Sequence, residues 1–255
     1  MAIFVCGIDE SAGKDRRDNF IMAGYMAPET VWTQQFSPDW EEQVLSGPPR
    51  IPYLHMTEIR SNQWRNQYGL SAFEAEQRVD RACDLIHGLD GLVPIGVFAN
   101  AGDVEDILAK NKVLLPAGGS DSLRPDYLCF MAYAYLATAY IARLRPDAEK
   151  IDFIIERNGK ITRYIESFHA GLAESFEYSG RSDLAPLIGD LIPAGKERVP
   201  LQAADMLCWH TARSEVGIDG SDSLRYDKIA GKLGMRMPLS REYLVELAPV
   251  LMRQH

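Results

Sequence analysis

The stretch AIFVCGIDE, residues 2–10, passes through apolar or small residues without a break and then stops at two carboxylates, Asp9 and Glu10. A continuous apolar run rich in β-branched and aromatic types is the pattern of a central strand covered on both faces. Side chains alternate along a strand, so Asp9 shares a face with Ile3, Val5 and Gly7, and Glu10 follows Phe4, Cys6 and Ile8. Only one of the two acids therefore enters a site on a given face. Asp9 is the candidate, because Gly7 beside it leaves room for another backbone.

Further strand-like runs occur at 20–26 (FIMAGYM), 92–99 (LVPIGVFA), 151–156 (IDFIIE) and 186–192. The first two strands read as a hairpin, and Pro94 places its strand at an edge or the proline near the strand's start. Helical patterns lie between them. Residues 28–45 read as a helix interrupted by Pro38. Ser71 followed by Glu74 predicts a capping box for the next. Residues 125–144 are apolar almost all round, as in a deeply packed helix, and Pro200 stands at the first turn of LQAADMLCWHTAR. The expected architecture is an α/β domain over 1–215 with a mixed sheet flanked by helices, and 216–255 as a C-terminal helical extension packed on it.

A chain of 255 residues is long enough to bury a sizeable core without disulfides. Cys6, Cys83, Cys129 and Cys208 are scattered singly, with none of the short spacings of a zinc or redox motif, and read as buried thiols of a reduced compartment. The N-terminus lacks the pattern of a signal peptide and no apolar stretch reads as a bilayer span, so a cytoplasmic protein without a membrane partner is expected. The net charge of -9 repels nucleic acid as a whole, so a phosphate-bearing partner must be met by local basic clusters or metal ions.

Ligands of α/β sheets collect beyond the carboxyl ends of strands. Strand 151–156 also ends in a carboxylate, Glu156, so parallel pairing with the first strand would set it beside Asp9. Asp205 lies on the border of the apolar stripe Leu201, Ala204 and Cys208. A carboxylate held against a core costs several kcal/mol unless neutralised, hydrogen-bonded or metal-bound. Three carboxylates together raise one another's pKa, and a hard cation reverses that; oxygen-only ligands select Mg²⁺ or Mn²⁺. Lys14, Arg16 and Arg17 follow the first strand and Arg157, Lys160 and Arg163 follow Glu156. Of these, Lys14, Arg157 and Lys160 are the candidate phosphate contacts, with solvated loop cations as the plainer alternative.

Together GIDESAG (7–13), LHMTEI (54–59), FIIER (153–157) and PLQAADMLCW (200–209) resemble the bacterial family catalogued as domain of unknown function 3800. The resemblance spans about residues 3–213 in the expected order, and its specific motifs are the first and the last. It implies a ribonuclease-H-like fold, with acidic site positions at Asp9, Glu156 and Asp205 and with Glu10, His55, Glu58 and Gln202 nearby. Glu156 departs from the aspartate that many members carry there. Related ribonuclease-H-like enzymes cleave phosphodiesters with two metal ions roughly 4 Å apart.

The expectation is a metal-dependent phosphodiester hydrolase of nuclease type, with Asp9, Glu156 and Asp205 as catalytic metal ligands and nucleic acid as partner. Gln202 is expected to anchor Asp205 or bond a backbone carbonyl. His55 and Glu58 divide evenly between reaching a metal or substrate and local capping. Two alternatives stand beside this reading: a non-catalytic binding or regulatory module that keeps the acidic pocket, and a hydrolase of a small phosphorylated metabolite.

Overall fold

The computed structural model describes residues 2–12, 19–110, 125–157, 159–215, 221–230 and 234–245. β1 (Ala2–Ala12) and β2 (Asn19–Pro28) form an antiparallel hairpin, and β3 (Val93–Asn100) continues it antiparallel to β2. On the other side of β1, β4 (Ala148–Glu156) and then β5 (Ile188–Ala194) run parallel to it. β6 (Met235–Leu239) pairs parallel with β3, giving the order β5-β4-β1-β2-β3-β6. The architecture is a mixed six-stranded sheet flanked by helices. Pro94 is the second residue of β3 and precedes the first pairing with β6 at Ile95, so its missing N–H leaves that ladder intact.

The alternation read from residues 2–10 sorts two cores. Phe4, Cys6 and Ile8 pack on one face with Tyr127, Phe130 and Tyr133 of helix α6 (Pro125–Leu144). On the other face Val5 joins Trp32, Phe36 and Trp40 of helix α1 (residues 29–45), Val79 of α4 (Ala72–Gly88) and Leu201 of α9 (Val199–Glu215). α6 is long and apolar enough to cross a membrane by length and composition, and half of it is buried in this fold. Between these elements lie α2 (Met56–Ile59), α3 (Asn62–Tyr68), α5 (Ala101–Lys110), α7 (Gly159–Ala170) and α8 (Leu172–Tyr178).

Two sequence expectations are corrected. Pro38 does not interrupt α1. The helix alternates α and π stretches, and Pro38 is the second residue of the short α segment Ser37–Trp40 that follows the π turn Trp32–Phe36, a first-turn position where proline is tolerated. The C-terminal region is not purely helical either: α10 (Ser221–Ala230) is followed by β6, whose five residues alternate too weakly to stand out in a sequence. α10 is tied to the rest by charge, since Asp222 accepts hydrogen bonds from Arg60 and Arg213, and Arg225 donates to Asp80 and Glu76 of α4. The capping box at Ser71 and Glu74 is present as expected.

Arg78 fastens the end of α1. Only 1% exposed, its guanidinium donates to the carbonyls of Val44, Leu45, Gly47 and Pro49, and so supplies donors where a helix terminus leaves acceptors unpaired.

The approach of α9 to β1 positions the site. A Cβ built on Gly7 would stand 2.3 Å from the Pro200 carbonyl oxygen, so only glycine allows the first turn of α9 to lie on the strand. Gly7→Ala is therefore expected to destabilise the fold by about 3 kcal/mol through overpacking against backbone, read as a lowered urea midpoint. An unchanged midpoint would show that α9 is not seated there.

Candidate functional site

Parallel pairing places Ile8 opposite Ile155, so the next residues, Asp9 within β1 and Glu156 at the end of β4, lie at the same level and on the same face. That face carries Val5, Ile154 and α9. Asp205 points down from α9 at 8% exposure. Burial, and then the charges of Asp205, Glu10 and Glu156, push the Asp9 carboxyl well above the usual aspartate range. Asp205 is pushed up to about 7, by burial first and by Glu156 and Glu58 in addition, against a lowering hydrogen bond from Met56. The three expected acids thus feel one another's charge across a single sheet end.

Asp205 has a local partner as well. The Met56 N–H donates to its Oδ2 at 2.6 Å, which satisfies an orphan donor at the start of α2. The Gln202 side chain does not anchor Asp205. Its Oε1 accepts from the Leu54 N–H at 2.8 Å and from Trp40 Nε1 at 2.9 Å, and its Nε2 donates to the Glu197 carbonyl. Gln202 and Asp205 stand one helical turn apart, and Leu54 and Met56 present two N–H groups two residues apart along extended chain. The Gln-x-x-Asp motif therefore clamps segment 54–56 onto α9.

His55 lies inside that clamp, its Nε2 3.6 Å from Asp205 Oδ1. Burial and the nearby Lys196 hold its pKa down at about 4, so the contact at neutral pH involves an uncharged ring. His55 Nδ1 and Glu58 Oε2 are buried without hydrogen-bond partners. Glu58 Oε1 accepts from Lys196 Nζ at 2.7 Å. Although burial works the other way, this bond and the adjacent Tyr53 hydroxyl hold the Glu58 carboxyl below its usual range.

Lys196 is the residue that sequence reasoning passed over. It stands two positions beyond Ala194, the β5 partner of Glu156, in the loop that leads into α9. Of the expected phosphate contacts, Arg157 is exposed with its guanidinium on the Pro193 carbonyl. Lys14 lies outside the described residues, as do Arg16 and Arg17, and the Lys160 side chain is likewise not described.

The donor set is all oxygen and self-repelling, which suits a hard cation. Among the described residues, however, no group of three His, Cys, Asp or Glu side chains stands ready to hold a metal ion. The chemistry fits; the side chains as placed do not form a coordination shell.

Two outcomes follow. Gln202→Ala would strand the Trp40 and Leu54 donors and is expected to cost about 2–4 kcal/mol in denaturant melts. The proton on Asp205 gives a pH signature. With a folded pKa near 7 against an ordinary unfolded value, the folded state holds extra proton below that pH, and the associated stability is lost as pH rises through about 7. Asp205→Asn keeps an acceptor for Met56 and cannot ionise. Its melting temperature should match wild type below about pH 4, rise above it progressively between about pH 4 and 7, and exceed it by roughly 5 °C at pH 8. Parallel pH profiles would refute the raised pKa. In comparison with known proteins, no family model matches the chain and no curated protein matches it.

Proposed function

We propose that the chain is a divalent-metal-dependent phosphodiester hydrolase of nuclease type, acting on nucleic acid, with a ribonuclease-H-like sheet of the family catalogued as domain of unknown function 3800. The carrying observation is that Asp9 and Glu156 lie at one level on one face of parallel β1 and β4, with Asp205 buried close enough that charge among them raises the Asp9 and Asp205 carboxyls. The fold reading is supported by the antiparallel set β1, β2, β3 with β4 and β5 added parallel to β1.

Asp9, Glu156 and Asp205 would hold Mg²⁺ or Mn²⁺. A bound ion would lower the pKa of a water molecule and neutralise the three acids. The chain's own residues supply the rest. α9 covers the site and limits water, and the clamp on segment 54–56 fixes Asp205 and His55 relative to each other. Lys196 offers positive charge beside the acids. With all four cysteines buried and reduced, a cytoplasmic setting belongs to the same proposal.

A second reading has its own support. Asp205 already caps α2 through Met56, a role that a non-catalytic binding module would also need. Thermal scans with Mn²⁺, paired with a substrate panel, separate the readings. Wild type should gain several degrees with Mn²⁺ and cleave labelled oligonucleotides, and Asp205→Asn should do neither. Cleavage of nucleotides or sugar phosphates alone would move the assignment to a small phosphorylated metabolite. A flat Mn²⁺ response together with no cleavage would leave the binding module.

A further inference from the structure

We infer that Lys196 is the side chain that takes hold of the substrate's phosphate, and that Glu58 keeps it in position until a substrate arrives. The inference rests on the hydrolase reading above and names how this chain meets a phosphodiester despite its acidic surface.

Placement comes first. β5 ends at Ala194 beside Glu156, so Lys196 emerges at the same sheet end as the three carboxylates and answers to the charges of Glu58, Glu156 and Asp205. Its stem is flexible and its head is a compact charge, a combination that can change partners without moving backbone.

The resting pair is poorly satisfied. Both side chains of the Lys196–Glu58 ion pair are 29% exposed, and a pair so open to solvent contributes little to folding. His55 Nδ1 is buried without a hydrogen-bond partner and can donate in the tautomer that carries its proton there, so the pocket holds a nitrogen that the chain itself does not use. A phosphodiester brings acceptor oxygens with a full negative charge. Lys196 would pass from a carboxylate to a non-bridging phosphate oxygen in a charge-assisted bond, with no covalent change. Arg157 and Arg198, both exposed, extend positive charge along the same end of the sheet, where a strand could continue.

The test is fluorescence anisotropy with labelled single-stranded DNA and RNA 10-mers in Ca²⁺, on folded wild type, Lys196→Ala, Lys196→Arg and Glu58→Gln. Lys196→Ala should weaken binding about tenfold and flatten the log affinity against log salt slope by about 0.7, the loss of one contact to a single strand. Lys196→Arg should stay within about threefold of wild type, since it keeps the charge. Glu58→Gln should bind more tightly, because it frees the lysine. A structural ion pair would behave differently: both Lys196→Ala and Glu58→Gln would lower the melting temperature and neither would change the salt slope, and that result overturns the inference. Lys196→Ala binding as wild type does so too. If wild type binds neither 10-mer, the nucleic-acid reading itself falls.

Discussion

The structure turns on a backbone contact that only glycine permits. Because Gly7 has no side chain, the first turn of α9 rests on β1, and a helix carrying Asp205 is brought over a strand that carries Asp9. Everything distinctive about the region follows from that proximity. Carboxylates that water would keep apart are drawn out of solvent together, and burial with their neighbouring charges pushes the Asp9 and Asp205 carboxyls up from the usual aspartate range. Such sites are biased toward function, since purely structural packing would favour apolar residues at the same positions.

The clamp formed by Gln202 and Asp205 explains how the surrounding pieces stay in register. One turn of helix grips two backbone donors, and Trp40 binds the same amide oxygen, so α1, segment 54–56 and α9 meet on two side chains. Gln202 is 2% exposed and bonds Trp40, Leu54 and Glu197, which makes it a joint of the scaffold. Asp205 is both joint and charge. This dual use is why a single aspartate in an apolar helix carries both readings of the protein.

Much of the fold was legible from residue pattern alone. Strand runs such as 2–8 and 151–156 are long and apolar enough to announce themselves, and alternation along β1 puts Asp9 rather than Glu10 on the face of Val5 that α9 covers. What escaped notice has physical causes. β6 is short, with a proline and an arginine among its five residues, and owes its conformation to the open side of β3. Pro38 follows a π turn that no propensity scale anticipates. Lys196 and Arg78 owe their roles to partners 138 and roughly thirty positions away, a separation at which local spacing carries no information. Of the two roles expected for Gln202, the bond to a backbone carbonyl is present, at Glu197, while its partners on α1 and segment 54–56 are ones that a motif does not show.

The late arrival of β6 has a bearing on how the chain must be made. Until residues 235–239 leave the ribosome, the outer rim of β3, an apolar run from Val93 to Ala99, offers unpaired amides to any neighbouring nascent polypeptide. Its last strand thus works as a built-in guard against self-association, and its protection is delayed by more than a hundred residues of synthesis.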